Sequence, residues 1–476
     1  MPMEADVAVL GGGPGGYTAA VLAARAGKSV ILIERDKLGG TCLHRGCVPS
    51  KALLRSAEIY AAVRGAEAFG IRLGGGEAVV DWSAVMARKV AVVERLHGSL
   101  RSLVEGSGVQ IVHGTGRIIG PSIFSPRSGS VAVQLADGEQ ETVVPRHLII
   151  ATGSRPVRLD GLPYDGDRVV TGEEALNWPS LPSSVLIVGG GVTGVEWASM
   201  LTDFGVRVTV VETADRILPG EDRDISAELK KALERRGAEV ITGARLLVET
   251  CRVKNGEVSM EVEADGRKRR LKGERMLVSV GRRGNVEDLG LENTDIRTER
   301  GFIVVNPATL QTDEPHIYAV GDVIGGVQLA HAAMHEAAVA VDHLCGRQPR
   351  RAADRDVPRC IYSRPEAAAI GWTEDAAREA GFDVMTVRMP VSAFGKAQVD
   401  GETDGFVKVV ADRATEDWLG VHMVGPHVTE LIAEASLARV VDAVPWELAY
   451  TIHPHPTLSE AMQEAMQAVE TRRKAK

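Results

Sequence analysis

The chain has 476 residues, 44% of them hydrophobic and 25% charged, with a formal net charge of −9 and five cysteines. These values predict roughly two to four domains with substantial cores and exclude a disordered chain. The acidic balance argues against general affinity for nucleic acid or anionic membranes, no run of about 20 apolar residues offers a membrane span, and the odd cysteine count speaks against a disulfide framework.

The N-terminus, "MPMEADVAVLGGG", has neither the basic nor the long apolar region of a signal peptide, so a cytoplasmic protein is expected. Residues 6–16, "DVAVLGGGPGG", predict a strand running into Gly11, Gly13 and Gly16 in the G-x-G-x-x-G spacing. An alanine-rich helix and a second strand, "SVILIE", follow and end at Glu34. In that strand–turn–helix–strand context the glycines let the backbone approach a pyrophosphate at a helix N-terminus, and Glu34 can accept hydrogen bonds from a ribose diol.

The next stretch, "GGTCLHRGCVPSK" at 39–51, sets Cys42 and Cys47 five positions apart. In a reducing compartment a close pair suggests transient, catalytic redox chemistry. Two unlinked core cysteines beside a nucleotide site fit the spacing as well. Five residues of regular helix rise about 7.5 Å, beyond the reach of a disulfide, so a bridged pair needs a broken helix. Gly39, Gly40 and Gly46 permit the break, and Pro49 suits the first turn of a following helix. Cys47 would then lie near a helix N-terminus, which favours a thiolate.

Further along, Asp137-Gly138 marks a hairpin and "HLIIATGSRP" ends a strand in a glycine turn near 153, a plausible domain crossing. The first pattern then recurs at "SVLIVGGGVTGVEWASML", with Gly189, Gly191 and Gly194, and a strand ending at Glu212. Gly11 to Glu34 and Gly189 to Glu212 are both 23 positions, which a chance glycine turn explains poorly. Two dinucleotide sites are predicted. A carboxylate at Glu212 repels the 2′-phosphate of NADP and suits NAD, with Arg216 the one nearby cation pulling the other way.

Asn255-Gly256 and Asp265-Gly266 predict two more hairpin turns, and the basic run "GRKRRLKG" at 266–273 reads as a solvated strand beside the second. "HIYAVGDVIGG" ends another strand at Gly321-Asp322, and from about 350 a polar linker leads into a last α+β segment. Cys251, Cys345 and Cys360 read as small hydrophobes. In "HPHPTLSEAMQEAMQAV", Thr457 and Glu460 have capping-box spacing at the start of an amphipathic helix. Thiol–disulfide exchange also needs an acid–base, which an imidazole held by a carboxylate supplies.

"GGTCLHRGCVPSKALL", "GGGVTGVE", "IYAVGD" and "HPTLSE" together resemble the flavin-dependent pyridine nucleotide–disulfide oxidoreductases, in order and over essentially the whole chain. The fold this implies is α/β: two Rossmann-like dinucleotide-binding domains for FAD (1–152) and NAD (153–282), a central segment completing the FAD site (283–350), and a C-terminal α+β dimerisation domain (351–476). The resemblance gives Cys47 the role of the thiol facing the flavin and Cys42 that of the interchange thiol. It makes Lys51 and Glu196 an ion pair beside the flavin ring, His455 the acid–base contributed by the other subunit of a homodimer, and Glu460 its orienter. His453 is left structural. Gly40, Thr41, Lys51, Gly116, Thr152, Gly153, Ser154, Asp322 and the segment Gln328, Leu329, Ala330, His331 match further FAD contacts. Gly281 and the backbone at Leu246 match NAD contacts, and no metal site is implied.

The implied activity is NAD-dependent oxidation of protein-bound dihydrolipoamide, as a component of a 2-oxoacid dehydrogenase-type complex with its lipoyl domain and acyltransferase core as partners. No lipoyl segment precedes residue 6, so the lipoamide is expected to arrive on a partner. A glutathione-type reductase would want NADPH, against Glu212, and a mercuric-ion reductase a second cysteine pair, whereas no cysteine follows Cys360. An NADH-sensing flavoprotein subunit is the reading from a different class, which loss of the cysteine pair or of "HPTLSE" would have favoured. His44, between the cysteines, replaces the asparagine of many relatives.

Overall fold

The computed structural model describes residues 2–121 and 127–474, which form two compact units. The first comprises Met1–Ala52, Ala84–Val157 and Gly281–Ala352; the second comprises Leu53–Ser83, Arg158–Val280 and Ala353–Lys476.

In the first unit, Met3–Leu10 lies between Val30–Glu34 and Gln140–Ile150, parallel to both. Gln110–Ile119 extends the sheet beside Val30–Glu34, and Ile317–Ala319 extends it beside Gln140–Ile150. Ser130–Leu135 pairs antiparallel with both Gln110–Ile119 and the start of Gln140–Ile150, with its turn at Asp137-Gly138 as predicted. Val7, Val9, Leu32 and Ile149 have no exposed surface. With Ala8, Leu148 and Ile150 equally buried on the opposite face, both faces are covered, as a parallel sheet between helices requires, and each large apolar side chain contributes on the order of 1.5–3 kcal/mol. The register sets Leu10 level with Ile33 and with Ile150, so the turn at Gly11 leaves the carboxyl edge where the strand order diverges, the usual place for a ligand.

The second unit repeats this plan in a five-stranded parallel sheet, ordered Glu239–Ile241, Arg207–Val211, Ser184–Val188, Arg275–Val278, Val169–Thr171. A separate antiparallel meander of Arg245–Lys254, Glu257–Ala264 and Arg267–Gly273 packs against it. Asn255 and Asp265 have positive φ before their glycines, as the two predicted hairpin turns need. The basic strand is exposed, with Arg269 on Glu239, Arg270 on Glu261 and Lys272 on Glu257. A five-stranded antiparallel sheet follows, ordered Arg359–Ile361, Glu366–Gly371, Trp418–Gly425, Phe406–Asp412, Val384–Pro390. Helices Val428–Val440 and Glu460–Lys474 cover its apolar face.

The helix Arg223–Arg235 joins the two sheets of this unit. Arg359 binds Glu221 at 2.9 Å, Arg223 binds Asp375 at 2.6 Å and Arg235 binds Asp404 at 2.8 Å. Buried Lys408 contacts Asp222, Asp224 and Glu374 at 2.8–2.9 Å. Removing that one lysine strands the buried Asp222 carboxylate at a cost of about 3–5 kcal/mol, more than the exposed pairs combined are worth. Cys251 is buried, and Cys345 and Cys360 pack on cores. No helix among the described residues is long and apolar enough to cross a membrane.

Candidate active site

The two glycine turns are built alike. Gly11 N–H donates to Ile33 O at 2.9 Å, and Gly189 N–H to Val211 O at 2.8 Å. A Cβ at Gly16 would lie 1.8 Å from Gly11 O, and one at Gly194 would lie 1.9 Å from Gly189 O. Each helix therefore approaches its own turn as only glycine permits. Gly13 and Gly191 start the helices Pro14–Arg25 and Val192–Asp203 without a side-chain cap, and a Cβ at either would meet nothing within 4 Å. Free amides at an open helix N-terminus fit a pyrophosphate. Glu34 accepts the N–H groups of Gly12 at 2.6 Å and Asp36 at 2.7 Å. Glu212 accepts those of Gly190 at 2.6 Å and Ala214 at 2.8 Å. Each carboxylate is thereby oriented, and its remaining lone pairs suit a ribose diol. Arg216 is committed to Pro219 O at 2.9 Å and lies 3.5 Å from Asp215, which leaves NAD the better fit.

The cysteine segment folds back onto the first turn. Gly39 N–H donates to Gly12 O at 2.8 Å, and a Cβ at Gly40 would lie 2.8 Å from the Cα of Gly13. Cys42 and Thr41 lie on a short helix, Gly40–Arg45, which breaks at Gly46 before a second helix starts at Cys47. Pro49 falls in the first turn of that helix. The broken helix brings the thiols together: Cys42 hydrogen-bonds to Cys47. That bond, then burial and the charge on Cys47, push the Cys42 thiol far up, while Lys51 opposes them and Asp322 adds to them. Cys47 is exposed at the N-terminus of the second helix, where the dipole favours a thiolate. His44 Nε2 lies 2.8 Å from Leu38 O and its ring meets that of His97 edge-on at 5.2 Å.

Around the thiols, the turn Thr152–Ser154 is tied to the turn at Asp322. Ser154 Oγ donates to Asp322, and Arg282 Nε donates to Ser154 Oγ at 2.7 Å. Thr152 Oγ1 donates to Asn285 O at 2.9 Å, and Gly321 N–H to Glu336 at 2.8 Å. Gln328 has positive φ and a buried Nε2 without a hydrogen-bond partner. Leu329 precedes the helix Ala330–Leu344 without a side-chain cap, and His331 lies in its first turn. An orphaned amide and a second uncapped helix start, beside the open cradle at Gly13, fit the polar edge of a bound FAD. Gly116 is explained by packing, since a Cβ there would lie 2.5 Å from Leu10 Cδ1. Two residues of this cluster escape local sequence reading. Tyr17 has its hydroxyl pushed up first by burial and then by the charges of Cys42 and Cys47, and its only sequence signal is adjacency to Gly16. Arg282 is signalled only by following Gly281.

Lys51 belongs to the first unit; Glu196, His455 and Glu460 belong to the second. Gly281, whose carbonyl accepts Val157 N–H at 3.0 Å, is in the first, apart from Glu212 and Leu246. Buried Glu196 accepts the Tyr362 N–H at 3.0 Å. His455 Nδ1 lies 2.8 Å from Glu460 Oε1, while Oε2 of the same carboxylate accepts Thr457 N–H at 2.8 Å. Glu460 therefore orients the imidazole and caps the chain at once, and both bonds, Thr457 first, hold its carboxyl below the ordinary value. The capping box is only half formed: Thr457 Oγ1 turns to Pro454 O at 2.7 Å and the helix begins at Glu460. The His455 side chain is 78% exposed, whereas that of His453 is 5% exposed. His453 has both nitrogens occupied, by Glu434 at 2.9 Å and Thr451 O at 3.0 Å. Of the two histidines, only His455 presents a free nitrogen on an accessible ring.

Residues 5–337 match the family model for pyridine nucleotide-disulphide oxidoreductases, and residues 357–466 match that family's dimerisation domain. The chain is 53% identical to a dihydrolipoyl dehydrogenase of Bacillus subtilis (strain 168), with 99% of each covered. It is 38% identical to the dihydrolipoyl dehydrogenase of Thermus scotoductus, over 98% of this chain and 97% of that one. Among solved structures it is similar to LpdA from Mycobacterium tuberculosis, at 29% identity and a TM-score of 0.89, over 98% of this chain and 99% of that one. It is also similar to the HOCl-induced flavoprotein disulfide reductase RclA from Escherichia coli in its Cu(II) complex, at 28% identity and a TM-score of 0.84, with the same coverage.

Proposed function

The chain belongs to the pyridine nucleotide–disulphide oxidoreductase family, and on that premise we propose that it is a dihydrolipoyl dehydrogenase, oxidising protein-bound dihydrolipoamide with FAD and NAD. The observation that carries this reading is the Cys42–Cys47 pair, the two thiols in contact and their segment held against the first glycine turn. The similarity to curated dihydrolipoyl dehydrogenases over nearly the whole chain supports the same substrate.

In the proposed reaction a substrate thiolate attacks Cys42 Sγ of the oxidised pair, breaking the Cys42–Cys47 bond and leaving Cys47 as thiolate. His455 takes the proton of the second substrate thiol, which displaces Cys42 from the mixed disulfide and closes the lipoamide ring. The substrate has lost two electrons and two protons; the pair holds the electrons, Cys42 takes one proton from His455, and the other passes to solvent. Glu460 holds the imidazole in register and stabilises its charged form. The bound FAD supplies the electron transfer from the thiols to NAD. Gly13, Glu34, Gly40, Thr41, Lys51, the turn at 152–154, Asp322 and Gln328–His331 are the residues assigned to hold it; Gly191, Gly194, Glu212, Leu246 and Gly281 are assigned to NAD.

The active unit is a homodimer, with His455 serving the thiols of the other subunit. It acts in the cytoplasm within a 2-oxoacid dehydrogenase-type complex, on lipoyl groups carried by a partner. The segments 1–152 and 283–350 are assigned to FAD, 153–282 to NAD and 351–476 to dimer contacts. The test is to mix purified protein with dihydrolipoamide and either NAD or NADP and follow reduced nicotinamide. Rapid formation with NAD alone supports the reading. No formation by a flavin-loaded protein that NADH reduces would point to another disulfide as substrate.

A further inference from the structure

The helix Val192–Asp203, whose start is assigned to NAD, buries three polar side chains along one face: Glu196, Ser199 and Asp203. Their spacing, three and then four residues, stacks them in a row. Nothing in helix propensity asks for three polar groups in a core, and each must find a partner there. All three find partners in one short segment between the strands Arg359–Ile361 and Glu366–Gly371. Tyr362 N–H donates to Glu196 Oε1 at 3.0 Å, and Arg364 N–H donates to Ser199 Oγ at 2.9 Å. The Arg364 guanidinium then forks onto Asp203, with Nε at 3.0 Å and Nη2 at 2.5 Å. From the other side Arg236 donates to Asp203 Oδ1 at 2.8 Å and to Ser199 Oγ at 3.0 Å.

We propose that Arg364 is a positioning residue for the nicotinamide half of the reaction: its fork on Asp203 sets the register of residues 362–364 along the helix, and so holds the Tyr362 N–H on the carboxylate of Glu196. A two-pronged bond fixes angle as well as distance, which a single bond at Ser199 does not. Glu196 lies one turn from the amides assigned to NAD, so a carboxylate released from its N–H changes both charge placement and shape beside that half-site. The proposal rests on the assignment of the second glycine turn to NAD. Arg364 is separable from the fold itself. Its side chain is 45% exposed, and without it Asp203 keeps Arg236 as its cation, so no buried charge is left alone. Other charges near Arg364 are those of Glu402 and Glu58.

The test uses the full-length, FAD-loaded protein and its Arg364→Ala and Arg364→Lys variants, with each half-reaction followed separately by anaerobic stopped flow. Arg364→Ala is expected to slow the limiting rate of flavin reduction by NADH roughly tenfold, while reduction by dihydrolipoamide stays within about twofold and Arg364→Lys restores part of the loss. Glu196→Gln should slow the same half-reaction, and adding Arg364→Ala to it should cost little more, because the two act as one unit. In the same FAD-loaded protein, hydrogen exchange at the Tyr362 amide should quicken roughly tenfold in Arg364→Ala. Equal slowing of both half-reactions, no slowing, full additivity with Glu196→Gln, or an unchanged Tyr362 amide would each overturn the proposal. If dihydrolipoamide fails to reduce even the wild-type flavin, the substrate assignment falls, and the NADH comparison still decides the role of Arg364.

Discussion

Set side by side, the turns at Gly11–Gly16 and Gly189–Gly194 differ by about a tenth of an ångström in the contacts that define them. The third glycine approaches the first at 1.8 and 1.9 Å by the position of an added Cβ. The terminal glutamate takes the N–H of the residue after the first glycine, Gly12 or Gly190, at 2.6 Å in both. They part company after the glutamate. Beyond Glu34 the chain returns through Gly39 and Gly40 to lie on the turn itself and delivers Cys42 and Cys47 there. Beyond Glu212 it runs through Arg216 into Asp222, which caps the helix Arg223–Arg235 and binds Lys408. The cradle is thus a general device for holding a pyrophosphate, made of backbone and one carboxylate. What distinguishes the two sites chemically is the next ten to thirteen residues, thiols in one case and a structural anchor in the other.

Five changes test that contrast, in falling order of expected effect. Gly16→Ala forces a Cβ onto a carbonyl and should cost flavin binding and all turnover, a loss of at least about a thousandfold. Gly194→Ala, an equal clash, should leave the flavin bound and reducible by dihydrolipoamide while NAD reduction fails. Flavin absorbance and the two half-reactions distinguish these outcomes, and equivalent behaviour of the two variants would break the comparison. His455→Gln touches neither cradle and should lower turnover by about 10²–10⁴, the range for a lost acid–base, with the NAD dissociation constant unchanged by calorimetry. Glu460→Gln should lower the plateau less, about tenfold, since it removes the orienter and leaves the base.

The pH dependence of that pair has a defined sign. The folded state holds the Glu460 carboxyl below its ordinary 4.5, so its contribution is fully present above that value and disappears only as pH falls through the lower folded one. The difference in melting temperature between the wild type and Glu460→Gln should therefore be constant above about pH 5 and shrink as the pH falls below 4.5, as unfolding followed against pH would show. Gly191→Ala is the mildest change. Its Cβ meets no protein atom, so the melting temperature should hold while KM for NAD rises about tenfold, roughly 1.4 kcal/mol. A lower melting temperature with KM unchanged would place the cost in the fold instead.

Much of this was legible in the sequence because it is local. Both glycine turns, the Asn255 and Asp265 hairpins, the broken helix at Gly46 and the His455–Glu460 pair depend on residues within a few positions of each other. The capping box at Thr457 was only half legible, since the hydroxyl had a nearer partner in Pro454 O. What the sequence hid is non-local: the Arg282–Ser154–Asp322 tie spans 168 positions, and the Arg364–Asp203 fork spans 161. No period or motif marks such pairs, because each is created by strands meeting in space. Tyr17 stood next to a motif glycine and still carried no signal, for only the folded turn brings its hydroxyl within the influence of the thiols.

In the proposed reaction electrons enter through the thiols attached to the first cradle. An anaerobic titration of the FAD-loaded protein with dihydrolipoamide, comparing the wild type with Cys47→Ser, tests it most directly. The wild type should take up two electrons and develop long-wavelength absorbance from the Cys47 thiolate against the flavin, whereas Cys47→Ser should bind FAD, accept electrons from NADH and stay oxidised by dihydrolipoamide. Equal reduction of both proteins by dihydrolipoamide would contradict the account.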